Sequence, residues 1–228
     1  MWSIKDIKSK AKTAFKGNYW RCVIAGIILM FLTAGVSFSS STTGDGDLQA
    51  KINALSSGDL QAVFVASAVA AVIIVCISVL LKIFVFNPLE VGCYSFYKKN
   101  NIDNSTTLGE SLKDGFGNYV HNFVTLFLAD LFNALWLMLF IIPGCIKYYS
   151  YFMVPYIVKD NPELSATEAI TRSREMMNGN KWRAFVMDLS FIGWHILGIL
   201  TCGLVEVFWT APYYYSTKAA LYLELKNK

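Results

Sequence analysis

Long apolar blocks separated by short polar segments run through the chain, and their lengths point to the fold class. A helix needs about 20 predominantly apolar residues to cross the hydrocarbon of a bilayer. Residues 22–38 form a first such run, anchored at the interface by Trp20 and Arg21. Residues 62–86 form a second, interrupted only by Lys82 near one end, where a long side chain can snorkel. Residues 123–142 form a third, containing Asp130 and Asn133. Pro143-Gly144 then predicts a turn. Residues 145–158 give a short fourth run, 184–200 a fifth with Asp188 and His195, and 204–215 the start of a sixth, prolonged past Pro212 through Lys218 to Leu225. The first run reads as a retained span, because no small-x-small cleavage pattern precedes Ser39.

Cations favour the six-span reading. The N-terminus, residues 87–119, residues 159–183 and the C-terminus hold six, three, five and three of the 20 Lys and Arg residues. Placing these segments in the cytoplasm satisfies the positive-inside bias and leaves Lys51 and Lys147 outside, with Lys82 in the membrane. Both termini are then cytoplasmic. The outer loop 39–61, rich in Ser, Gly and Thr, reads as flexible, and its Asp45-Gly46-Asp47 is too short for a calcium loop.

The polar segments repeat a device. Gly17-Asn18, Gly117-Asn118 and Gly179-Asn180 each precede an odd-numbered run, and glycine followed by asparagine suits a left-handed helix stop. Upstream of each stands a capping-box pattern: Ser3-x-x-Asp6, Thr107-x-x-Glu110 and Ser165-x-x-Glu168. Each even-numbered run carries a proline: Pro88, Pro155 and Pro212. The pattern predicts an all-α polytopic membrane protein of about six transmembrane helices. Its single domain, 1–228, would hold three helical-hairpin repeats (about 1–100, 101–162 and 163–228), each opened by a cytoplasmic amphipathic helix. In the first of these helices Ile4, Ile7, Ala11 and Phe15 share a face, while Lys5, Lys8, Lys12 and Lys16 lie elsewhere and are candidates to touch anionic headgroups.

Composition agrees: 55% apolar residues, 16% charged and a mean hydropathy of +0.44 exclude an ordinary soluble domain and a disordered chain. Five cysteines without C-x-x-C spacing read as reduced small hydrophobes, and two histidines are too few for a metal cluster. No phosphate-binding glycine loop, H-E-x-x-H helix or G-x-S-x-G elbow is present, so no catalytic residue, cofactor or metal is expected. The expected partners are the bilayer and other membrane proteins, not nucleic acid.

Charges at bilayer depth are costly and need the bundle interior or water. Lys82, Asp130, Asp188 and His195 are therefore the candidate intramembrane polar site, serving either as a polar pathway or as glue between helices, with Lys82 or Arg183 pairing an aspartate. Asp188 and His195 share a face about 10 Å apart along the axis, too far to bond. The stripe Ala62, Ala66, Ala70 would admit a close helix neighbour.

A resemblance rests on Ile142-Pro143-Gly144, Tyr151-x-Met153-x-Pro155-Tyr156, Asp160-Asn161-Pro162, Glu168-Ala169-Ile170, Ser173, Met177-x-Gly179-x-Lys181-Trp182, residues 189–194 and Pro212-Tyr213. Together these resemble a bacterial family of integral membrane proteins classed as domain of unknown function 975; the opening Trp2-Ser3-Ile4-Lys5 also fits it. The surface helix, glycine and following span are similar, more faintly, to the membrane part of some glycerophosphodiester phosphodiesterases, whose catalytic domain has no counterpart here. The resemblance implies a bacterial cytoplasmic membrane protein and carries over no catalytic residue. The expected role is a non-catalytic scaffold, accessory or envelope-stress component; the alternative is a small-solute or ion transporter or channel using the intramembrane Asp, His and Lys groups.

Overall fold

The computed structural model describes residues 2–34, 57–81 and 85–227, and among these every regular element is helical. The helices are α1 (Ile4–Gly17), α2 (Tyr19–Ala34), α3 (Ser57–Leu81), α4 (Asn87–Ile102), α5 (Leu108–Phe116), α6 (Tyr119–Leu139), α7 (Ile141–Tyr151), α8 (Val154–Asp160), α9 (Ala166–Met176), α10 (Lys181–Leu189), α11 (Ile192–Leu200) and α12 (Ala211–Lys226). A π-helical turn, Glu206–Thr210, leads into α12. Residues 119–139 and 181–200 are long and apolar enough to cross a membrane, and α1 with α2, bent by 107°, makes a third candidate. Most of the outer loop 39–61, together with Lys51 and Lys82, lies outside the described residues.

Three prolines organise the middle of the molecule. Pro88, Pro155 and Pro212 each stand second in their helix, α4, α8 and α12. At Pro155 this loses no intrahelical bond, since the first amides of a helix have no partner in it, whereas Pro88 and Pro212 directly follow π-helical backbone. The helices that follow are the most buried parts of the chain, and their tyrosines interlock: Tyr156 stacks on Tyr222 at 5.0 Å and meets Tyr94 edge-on at 5.2 Å, while Tyr97 lies 5.8 Å from Tyr215. Polar pins hold α1 and α2 on this centre. Tyr97 donates to Cys22 O at 2.6 Å, Asn100 to Ala14 O at 2.9 Å, and Ser216 to Ala11 O at 3.1 Å.

α4 and α5 cross through glycine. A Cβ on Gly115 would fall 2.2 Å from Pro88 O and 2.9 Å from Gly92 Cα, so neither glycine has room for a side chain. A similar approach fixes the hairpin of α6 and α7, where a Cβ on Gly144 would come within 2.8 Å of Leu137 Cα. The turn itself falls at Phe140, whose backbone is extended (φ −154°), and not at Pro143-Gly144 as the sequence suggested. Pro143 sits in the first turn of α7, where a missing N–H is harmless.

Several local expectations are corrected in the same way. Ser165 and Glu168 form the full capping box, but Ser3 and Thr107 cap their helices without a side-chain bond. Left-handed backbone occurs at Asn118 (φ 53°) and Gly179 (φ 72°), whereas Asn18 has φ −137°. At that first turn the Asn18 amide is fixed from outside, donating to Asn100 Oδ1 at 3.0 Å and to the carbonyls of Asn104 and Thr106 at 3.2 Å. The fifth run breaks at Ser190-Phe191, between α10 and α11.

The largest correction concerns α1. Its apolar face, Ile7, Ala11, Ala14 and Phe15, is buried against α12 and α4, not presented to lipid. An amphipathic pattern states that one face leaves water; it does not state whether lipid or protein receives it. The apolar surface left exposed is elsewhere, on residues 61–77, 135–142 and 192–200. α3 is exposed along that whole stretch, so among the described residues Ala62, Ala66 and Ala70 meet no close neighbour.

Candidate functional site

The candidate polar residues divide between two neighbouring places. Asp188, at the end of α10, accepts from Tyr149 of α7 at 3.0 Å. His195 of α11 takes another partner, its Nδ1 3.0 Å from Glu206 Oε2 across the turn that follows α11. The two therefore take different partners, as their spacing predicted. Arg183 pairs with no aspartate among the described residues; it donates to Trp2 O at 2.6 Å and lies 5.4 Å over the Trp2 ring. Lys82 is outside the described residues.

Close to Asp188 lies a residue that in the sequence prolongs the sixth run and counts among the three C-terminal cations. Lys218, on α12, is 6% exposed. Its ammonium lies 4.0 Å over the Phe152 ring, 5.3 Å from Tyr94 and 5.6 Å from Tyr214. Glu90 and Asp188 both attract it electrostatically. Among the described residues ring faces hold the ammonium, and no hydrogen bond does. Cation–π contact is worth about 2 kcal/mol when desolvated, so three rings and two carboxylates offset part of the cost of burying this charge.

Lys218 also walls a cavity of about 270 Å³. Asp130 and Asn133 enter it from α6, Glu90 from α4, and Tyr148 and Tyr151 from α7. Asp130 and Asn133 are three apart and so share a helix face. Asn133 Oδ1 is buried there without a hydrogen-bond partner among the described residues. The polar side chains of the site thus come from four helices, α4, α6, α7 and α12. Glu206 and Lys218 were missed because each was read as part of an apolar run, and Glu90 because it was read as part of the polar segment 87–119; a lone charge inside an apolar run was the available signal for the first two.

Residues 126–228 match the family described as "Protein of unknown function (DUF975)". The DUF975 region spans α7 to α12 and most of α6, so it contains Asp130, Asn133, Asp188, His195 and Lys218, while Glu90 comes from outside it. The resemblance read from Pro143 onward therefore holds, and starts about a helix earlier than the residues that first carried it. No curated protein and no solved structure matches the chain.

Asp160 marks the other end of the DUF975 region's polar network. It lies two residues beyond the fourth apolar run, at the close of α8. Its carboxylate accepts from Lys98 of α4, from Tyr222 at 2.7 Å and from Lys226 at 2.6 Å. Burial pushes the Asp160 carboxyl up, but the hydrogen bonds from Lys226, Lys98 and Tyr222 outweigh it and leave the group below the usual carboxylate range. The four surface lysines differ in their commitments. Lys5, Lys12 and Lys16 are exposed, whereas Lys8 donates to Ser190 O at 3.3 Å and covers the Phe191 ring at 4.0 Å. Among the described residues no cluster of His, Cys, Asp and Glu has metal-binding geometry.

Proposed function

We propose that this chain is a non-catalytic multi-span protein of the bacterial cytoplasmic membrane, acting as a scaffold or accessory component of the envelope. One observation carries the reading: the deep ionisable groups are spent on joining helices. Tyr149–Asp188 ties α7 to α10, His195–Glu206 ties α11 to the π turn, and the Lys218 ring cage ties α12 to α4 and α7–α8. Groups used this way fix a bundle and need no route through it.

The six-span topology with cytoplasmic termini belongs to the same proposal. The distribution of the cations other than the buried Lys218 supports it, and so does the shared second position of Pro88, Pro155 and Pro212 within three helices that meet at the centre. That correspondence is what three copied hairpins would leave behind. The cytoplasmic face would rest on anionic lipid through Lys5, Lys12 and Lys16, with Lys8 spent on packing.

The reading is tested with single cysteines at positions 130, 188 and 195 in a cysteine-free background, labelled from each side by an impermeant thiol reagent. Protection at 188 and 195 in a folded protein supports helix joining; labelling from both sides overturns it. The second reading, a small-solute or ion transporter, draws on the charged cavity beside Lys218, and flux in proteoliposomes would establish it in place of the first.

A further inference from the structure

Three cations converge where α7 packs against α9 and α10. On α7, Lys147 and Ser150 share a helix face, and Ser150 O accepts from Ser173 at 2.8 Å, next to Arg174 on α9. On α10, Lys181 shares a face with Phe185, whose ring lies 6.0 Å from that of Tyr149 on α7. Arg174 and Lys181 both repel the Lys147 ammonium electrostatically. The cation count left Lys147 on the outer side; the structure sets it beside two cations of segment 159–183.

This charge has no counterpart among the described residues. None of the three cations makes a side-chain hydrogen bond or an ion pair there, and Lys147 meets the Trp136 ring at 4.6 Å. Glu175, beside Arg174 in the chain, pairs with Arg172 at 3.5 Å, and Asp188 on α10 accepts from Tyr149. Like charges gathered in this way destabilise a compact fold, a cost that a bound anion offsets. Arg174 is exposed and Lys147 and Lys181 are partly so, which leaves all three open to a ligand.

Apolar side chains select the source of that anion. Ile142 and Ile146, one turn apart on α7, and Trp182, next to Lys181, are all exposed. A free anion gains nothing from them, whereas acyl chains would cover the isoleucines and tryptophan is enriched at headgroup level. Arginine can hold a phosphate through two N–H donors at once, and basic pockets between membrane helices take headgroups rich in phosphate. We infer that Lys147, Arg174 and Lys181 bind the headgroup of an anionic lipid that carries two phosphates. Three positive charges exceed what the single phosphate of phosphatidylglycerol can balance, and cardiolipin brings a second. The site is separate from the α1 lysines and goes beyond the scaffold reading.

The test is native mass spectrometry of the full-length protein in a neutral detergent, titrated with cardiolipin, phosphatidylglycerol and, as the free anion, pyrophosphate. One saturable cardiolipin site is expected, at least fivefold tighter than any for phosphatidylglycerol or pyrophosphate. Arg174→Gln and Lys181→Gln should each weaken it about fivefold, the worth of one cation near an anionic surface. Arg174→Lys should keep most of the affinity. Lys147→Gln also removes the Trp136 contact and can disturb the α6–α7 hairpin, so the variants at Arg174 and Lys181 decide the outcome. The combined variant Lys5→Gln, Lys12→Gln, Lys16→Gln should bind cardiolipin as the wild type does, because those lysines face bulk lipid. No saturable site, equal affinity for phosphatidylglycerol or pyrophosphate, unchanged affinity in both Arg174→Gln and Lys181→Gln, or an equal loss in the α1 variant overturns the proposal. The thiol-protection test is independent of all these outcomes.

Discussion

Tyr222 donates its phenol proton to Asp160 at 2.7 Å while its ring stacks on Tyr156 at 5.0 Å, so one side chain joins the end of α8 to both its charge and its packing. Lys98 and Lys226 complete the arrangement around the same carboxylate, whose side chain is 8% exposed. Removing one partner of a buried ion pair costs about 3–5 kcal/mol, because the other charge stays buried and unpaired. Asp160→Asn should therefore lower the thermal midpoint in detergent far more than Lys10→Ala, which removes the exposed Lys10–Glu224 pair. Equal midpoints for the two variants would show that Asp160 is not the hub described here.

The same residue sets an expected pH dependence. Its folded-state carboxyl lies below the usual carboxylate range, whose unfolded value is about 3.9. A depressed folded pKa means that the unfolded chain binds the proton more readily. The stability contributed is complete above about pH 5 and is lost as pH falls through the folded value. Thermal melts between pH 7 and pH 3 should show a steeper acid loss in the wild type than in Asp160→Asn. Parallel curves would assign the acid sensitivity to other carboxylates, such as Asp114, which the hydrogen bond from Lys99 also holds below its usual range.

What the sequence revealed and what it hid follow one physical division. Apolar run length, capping patterns and prolines report local constraints, so the helical class, the Ser165 box and the Pro88, Pro155 and Pro212 positions were legible. The partner of a helix face is not local. The α1 stripe of Ile7, Ala11 and Phe15 was legible as apolar but its receiver was not, since burial against α12 and seating on lipid leave the same pattern. Asp160 meets Lys98 and Tyr222 across 62 residues each, and nothing near any of them in the chain marks the contact. Lys218 could have been singled out as the one cation amid residues 212–225, but its ring cage is drawn from three separate segments.

Capping gives a comparison among three similar motifs. Ser165 accepts from the Glu168 amide and its own amide is answered by the Glu168 carboxylate, whereas Ser3 and Thr107 make no side-chain cap. Ser165→Ala should cost about 1 kcal/mol, and Ser3→Ala much less. Thr107 Oγ1 is buried without a partner among the described residues, so Thr107→Val should be neutral or stabilising. Chemical denaturation in a mild detergent would rank the three, and a Thr107→Val loss as large as that of Ser165→Ala would contradict the observed caps.

The crossing of α4 and α5 supplies a matched pair of glycines on one short helix. Gly115 lies where a Cβ would meet Pro88 O at 2.2 Å, and Gly109 has nothing within 4 Å. Overpacking costs about 1–3 kcal/mol, here against backbone that cannot rotate aside, so Gly115→Ala should destabilise by about 2 kcal/mol or more. Gly109→Ala meets no atom and trades glycine for a better helix former, a gain of about 0.5 kcal/mol. The two helices part in the first variant and not in the second, which cross-linking of cysteines placed on α4 and α5 can read directly. Reduced cross-linking in Gly115→Ala with wild-type yield in Gly109→Ala is the expected result. Equal yields would mean that the helices are held by contacts other than the Gly92–Gly115 approach.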